Sequence, residues 1–159
     1  MVFCNTSPLN YLIQFAAADL LPALHREIHV PQTVVEELRD PAAPGAVQSW
    51  AAAPPAWLVV HPNPTLIPLG LEHLHRGEAA AIALAAARRA DLLLIDDLDG
   101  RIAATNAGIV VMGTLGVLDA AAVRGLADFH TLLDALLKTN FRAPRRLIET
   151  LKARHQRKV

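Results

Sequence analysis

LLLIDDLDGRIAA, residues 92–104, decides the fold. Four apolar residues run straight into two aspartates, Asp96 and Asp97, and a third, Asp99, follows two positions later. A short, continuous apolar run suits a strand buried on both faces, and such strands belong to parallel sheets covered by helices. In an open parallel sheet, ligands bind beyond the carboxyl ends of the strands. The aspartates therefore fall where such a sheet displays its chemistry.

The pattern extends in both directions. GEAAAIALAAARRA, residues 77–90, reads as a helix with Glu78 in its first turn, where the macrodipole favours an anion. LDGRIAATNAG reads as a helix stopped by Gly108, with Asp99 as its candidate cap. Strands are predicted at 2–4, 27–30, 57–61, 91–95 and 109–113, with helices between them. Thr6 or Ser7 is positioned to cap the first helix, with Pro8 in its first turn. Thr114 is placed to cap the helix that Gly125 ends, and two further helices close the chain. This alternation implies right-handed crossovers and a mostly parallel sheet covered on both faces.

The 159 residues suit a single domain spanning 1–159. With 53% hydrophobic and 19% charged residues the chain can build a core, which argues against disorder. No apolar run approaches the roughly 18–20 residues of a membrane span, and the start lacks a secretory signal pattern. One cysteine, Cys4, excludes an internal disulfide and a multi-cysteine zinc site, and reads as buried filler. The expected location is the cytoplasm. The formal net charge of zero hides an asymmetry: residues 1–137 carry 7 Lys/Arg against 14 Asp/Glu, and residues 138–159 carry 8 against 1. The basic C-terminal helix or tail, about 142–159, either contacts a phosphate backbone or is a solvated helix answering the acidic body.

Asn5 follows the first strand, and Asp96 and Asp97 follow the fourth, so neighbouring strands would bring them to one mouth. Glu37 lies in the helix after the second strand. Glu78 begins the helix that feeds the fourth strand, which places it away from the mouth unless that helix is angled. Converging carboxylates repel one another, and a divalent cation resolves the conflict. Oxygen ligands suit Mg²⁺ or Mn²⁺, and the chemistry that follows is metal-assisted phosphodiester hydrolysis. Each residue also has a structural reading. Paired aspartates after a strand serve as turn or cap, and Glu37 beside Glu36 suits a solvated helix face. His73 and His75, two apart, share no helix face, and Trp50 and Trp57 read as core.

The ordered set NTSPLNYL, VPQTVVEEL, GEAAAIALA, LLLIDDLDGRIAA, GIVVMGTLGVL and AAAVRGLA resembles the PIN domain, in its VapC-like branch. The resemblance runs from Val2 to about Arg146. It implies a three-layer α/β/α fold with a small, mostly parallel central sheet, and a Mg²⁺- or Mn²⁺-dependent endoribonuclease acting on RNA. It also implies a toxin neutralised by a cognate antitoxin protein, with a homodimer as a further partner. Carried over residue by residue, the catalytic set is Asn5, Glu37, Glu78 and Asp97. The metal ligands are Asp97, Asp96, Glu78 and Asn5, with Asp97 preferred and Asp96 the alternate. Ser7, Arg101 and Thr114 are the candidate phosphate-binding residues. Ser7 and Thr114 could equally be helix caps, and Arg101 could pair with Asp97 one turn away. The PIN domain at large has aspartate where this chain has Asn5, which removes one negative charge. The competing reading is thus a catalytically impaired RNA- or partner-binding module. A phosphoacceptor receiver domain needs its acidic pair after the first strand and a lysine after a late one, and no lysine precedes Lys138. A dehalogenase-type phosphatase needs an aspartate where Asn5 stands.

Overall fold

A computed structural model describes residues 1–156. Five parallel strands form one sheet: β1 (Val2–Cys4), β2 (Ile28–Pro31), β3 (Leu58–His61), β4 (Leu92–Leu94) and β5 (Val111–Met112), in the order β3-β2-β1-β4-β5. The chain builds outward from β1 to β2 and β3, then crosses back to place β4 on the other side of β1. Register pairs Val2 with Leu92, Phe3 with Leu93 and Cys4 with Leu94. Strand order therefore reverses between β1 and β4, the switch point at which open parallel sheets leave a crevice.

Alternate side chains enter opposite layers. Cys4 and Leu94 face a core built with α1 (Thr6–Gln14), α2 (Leu20–His25), α3 (Gln32–Leu38), α4 (Gly45–Ala52), α7 (Thr114–Val123) and α8 (Phe129–Leu137). Phe3, Leu93 and Ile95 face the other layer, built with α5 (Arg76–Ala87) and α6 (Leu98–Asn106). The result is the three-layer α/β/α arrangement the sequence pattern implies. Nine consecutive residues of α5, Gly77 to Ala85, are buried. Its alanines let the helix lie close between sheet and α6 at little side-chain entropy cost. Trp50 and Trp57 pack on each other, with ring centroids 5.7 Å apart, against the first core.

The basic C-terminal segment packs on the body as α9 (Arg145–Arg154), none of whose residues is fully buried. Asp119 of α7 pins its end, accepting from Arg154 Nη1 at 2.9 Å and lying 2.6 Å from His155 Nε2. The His155 ring also stacks on Phe129. Residues 157–159 of the expected tail lie outside the described residues. Among the described residues no helix is long and apolar enough to cross a membrane.

Helix starts differ from expectation in three places. Asn5, not Thr6 or Ser7, is the N-cap of α1, without a side-chain cap bond. Gly113 is the N-cap of α7, and Thr114 is already its first residue. Asp97, not Asp99, caps α6, its Oδ2 accepting from the Gly100 N–H at 3.0 Å. In the first two cases the hydroxyl of the threonine is drawn to a carboxylate on another element.

Candidate functional site

The Asn5 N–H donates to the Leu94 carbonyl at 2.9 Å, carrying β1–β4 pairing one residue past the strand. Its side chain is 2% exposed, and its Oδ1 has no hydrogen-bond partner among the described residues. An unsatisfied buried acceptor costs about 1–3 kcal/mol, so this oxygen is set for something it does not meet within the chain.

Glu37 reaches from α3 to two other helix starts. Its Oε2 accepts from the Thr6 hydroxyl, and its Oε1 accepts from the Gly77 N–H at 3.0 Å. A Cβ at position 77 would collide with the Glu37 carboxylate, falling 2.7 Å from Oε1 and 2.8 Å from Cδ. Glycine is therefore what allows the first turn of α5 to close on this carboxylate.

That turn carries Glu78, 7% exposed, whose Oε2 accepts from the His75 N–H at 3.4 Å. Burial pushes its carboxyl above the ordinary range. The negative charge of Asp97 adds to this, the His75 N–H opposes it, and Glu37 contributes further repulsion. Glu78 is thus at the mouth with Asp97 and Glu37, contrary to the expectation of distance. The reason is chain direction. The chain leaves β3 at the carboxyl edge, so α5 starts there and runs back to the amino edge to begin β4. The first turn of a crossover helix belongs to the carboxyl edge without any tilt.

The adjacent aspartates diverge. Asp97 is exposed and caps α6 while its charge acts on Glu78. Asp96 turns toward α7, its Oδ1 accepting from the Thr114 N–H at 2.6 Å and its Oδ2 from the Thr114 hydroxyl at 2.7 Å. Burial holds the Asp96 carboxyl above its ordinary range, against the opposing pull of the two Thr114 bonds and of Arg101. Thr114 is fully buried, so its hydroxyl holds Asp96 and does not face out toward a phosphate. Arg101 faces Asp96, and no ion pair joins it to Asp97 among the described residues. A Cβ on Gly113 would lie 3.0 Å from Asp96 Oδ1 and 3.1 Å from Arg101 Nη1, so this glycine makes room for both. Ser7 is half-buried at the second position of α1, its hydroxyl without a hydrogen-bond partner among the described residues.

Sequence reasoning gave Thr6 only the role of a helix cap and singled out neither Gly77 nor Gly113. Gly77 directly precedes Glu78, and Gly113 directly precedes Thr114. A glycine in or beside the first turn of a helix, next to polar chemistry, is the signal that could have found the last two.

Among the described residues no three His, Cys, Asp or Glu side chains are arranged as a ready metal cage. The donors still fit a hard divalent cation. Mg²⁺ characteristically takes one or two carboxylates and completes its shell with water and substrate phosphate. Glu78, Asp97 and the unpartnered Asn5 oxygen are donors of that kind.

A family model described as a PIN domain matches residues 1–157. No curated protein matches the chain. Among solved structures, the fold is similar to a PilT N-terminus domain protein from the hyperthermophilic archaeon Sulfolobus solfataricus P2. The TM-score is 0.50 at 14% identity, covering 90% of this chain and 98% of that one.

Two outcomes follow from the geometry. Gly77→Ala should gain about 1 kcal/mol in helix propensity, yet lower stability by at least about 1 kcal/mol net in urea titration, because the new methyl displaces Glu37. A stabilised Gly77→Ala protein would overturn the role given to that contact. Glu78 has a raised folded-state pKa, so the folded protein favours the protonated carboxyl. That advantage is present in acid and disappears as pH rises from the ordinary glutamate value, about 4.3, through the folded value. Glu78→Gln, whose amide oxygen can keep the His75 bond, should therefore raise Tm at pH 7 in EDTA. The difference should vanish in acid, and equal gains at both pH values would refute the burial argument.

Proposed function

This chain belongs to the PIN-domain family, and from that premise we propose that it is a Mg²⁺- or Mn²⁺-dependent endoribonuclease, the toxin of a toxin–antitoxin pair. PIN domains are generally nucleases and usually use divalent metal ions. The observation that carries the reading is Glu78, buried at the carboxyl edge against the charges of Asp97 and Glu37. Such a group raises the energy of the folded chain unless a cation joins it.

Asn5, Glu78 and Asp97 would hold the ion. Asp96 is the alternate, although both its oxygens already accept from Thr114. A divalent ion there would supply a water of lowered pKa and stabilise charge on the departing oxygen. Glu37, fixed by Thr6 and Gly77, holds the turn that carries Glu78 and adds to the field that attracts the cation. Ser7 and Arg101 have donors that no protein acceptor takes among the described residues, and these reach for substrate phosphate. The Asn5 amide would coordinate through its oxygen but would bring no charge, so metal affinity should be lower than with aspartate there.

Asn5 also favours a second reading, a catalytically impaired PIN-like module that binds RNA or a partner protein. For the antitoxin, the surface beside the mouth is suited to an apolar segment. Leu69 and Ile102 stand 94% and 51% exposed along a groove that Asp99 also lines, and Leu98 is 70% exposed on the same helix as Ile102. An arginine from such a segment could reach the carboxylates with bidentate geometry.

Purified protein should cleave labelled total tRNA or a structured RNA with Mg²⁺ or Mn²⁺ and not with EDTA. Asp97→Asn and Glu78→Gln should each slow cleavage by about 100-fold or more. Asn5→Asp should lower the metal concentration needed. Intact RNA under every metal condition, from folded protein, selects the second reading. Expression alone should arrest growth and co-expression with the cognate antitoxin should relieve it, whereas equal growth in both cultures removes the toxin assignment.

A further inference from the structure

Beside the acidic mouth a cleft of ≈ 360 Å³ lies between the N-terminal end of α7 and the segment that joins α8 to α9. Its volume is in the range of small-ligand sites. Asp96, Arg101 and Arg142 line its polar side, and Phe141, Pro144 and Leu147 line its apolar side.

The charges in this cleft are unevenly satisfied. Both oxygens of Asp96 accept from Thr114. Arg101 is drawn to Asp96 electrostatically, but its guanidinium makes no hydrogen bond or ion pair with any described residue. Arg142 donates one Nη1 hydrogen to the Phe141 carbonyl at 2.9 Å, and the remainder of its fork has no protein acceptor among the described residues. Asp119, at the far end, is matched by Arg154 and His155 of the C-terminal segment. The cleft therefore presents two open guanidinium forks, while both of its acids, Asp96 and Asp119, already have their oxygens occupied. It selects an anion next to a mouth that selects cations. Guanidinium forks match phosphate oxygens in bidentate fashion. The apolar wall beside them suits a flat ring, and a recess of this size admits one splayed base but not a base-paired duplex.

We propose that this cleft binds one nucleotide of a single-stranded RNA substrate, adjacent to the phosphate to be cut. The nucleotide's phosphate lies on Arg101 and Arg142, and its base lies against Phe141, Pro144 and Leu147. The inference rests on reading the neighbouring mouth as an RNA phosphodiester site. Arg142 is then a substrate-binding residue contributed by the chain after α8, far in sequence from every acidic residue of the mouth.

The test is binding of a 5′-labelled single-stranded RNA in EDTA, read by fluorescence anisotropy, with charge-matched pairs of variants. Arg142→Ala and Leu147→Glu should each weaken binding by about tenfold or more. Arg145→Ala and Thr150→Glu, which make the same charge changes on exposed positions of α9 outside the cleft, should change it by less than about twofold. Equal losses within either pair, or no loss at Arg142, would overturn the cleft and leave a diffuse basic surface. Should Leu147→Glu fail to fold, the arginine pair decides alone. Cleavage by the unaltered protein in Mg²⁺ or Mn²⁺ separates the two levels. Arg142-dependent binding without cleavage removes the nuclease reading and keeps the cleft, and cleavage with Arg142-independent binding does the reverse.

Discussion

The pairing of β1 with β4 is the constraint on which the rest depends. It joins the second residue of the chain to the ninety-second, and Asn5, Asp96 and Asp97 lie one to three residues past its end. Asn5 leaves β1 with its N–H still bonded to Leu94, and Asp96 and Asp97 leave β4 beside it. Because β2 and β3 extend from one side of β1, while β4 and β5 occupy the other, the helices on either side of this seam separate and leave a crevice. A sheet order that kept β1 and β4 apart would scatter the same side chains over a surface.

Crowding acids at that seam needs compensation, and the chain supplies it in two ways. Hydrogen bonds take up part of the charge: Thr6 and Gly77 on Glu37, Thr114 on Asp96, Gly100 on Asp97 and His75 on Glu78. Most of these donors belong to helix starts, where backbone N–H groups are free and the macrodipole is positive. Three helix N-termini, those of α5, α6 and α7, thus each receive a carboxylate. What remains uncompensated is the repulsion of Glu78 by Asp97 and Glu37 and the bare oxygen of Asn5. The like charges and the lone acceptor are the part of the balance that the protein does not close by itself.

Much of this was legible in the sequence. Every strand and helix announced itself locally, the strands by apolar runs between prolines and turn residues, α5 by its alanines and the glutamate in its first turn. The alternation of the two gave the layers. The side chains at the strand ends, Asn5, Asp96 and Asp97, followed directly from that alternation. Glu78 was misplaced because its helix was counted from the wrong end, which the direction of a crossover already determines. The pairings of Glu37 with Thr6 and Gly77, and of Asp96 with Thr114, span 31, 40 and 18 residues. They depend on how helices lean on one another, and no local pattern encodes that. Thr114 and Thr6 look like ordinary helix caps for the same reason: a hydroxyl at a helix start serves a backbone N–H unless a carboxylate from elsewhere arrives first.

Cys4 adjoins the seam with its side chain fully buried, and burial together with the charge of Asp96 pushes its thiol far above the ordinary range. A thiol must ionise to react, and this one cannot do so while β1 lies between its neighbours. Its reactivity is therefore a clock for separation of the central strands, and it runs on the protein's own residue with no label engineered in. Because Cys4 is the single cysteine in the sequence, the signal has one source. The rate at which it is modified reports how often the seam itself comes apart, as distinct from fraying at α9 or at the outer strands.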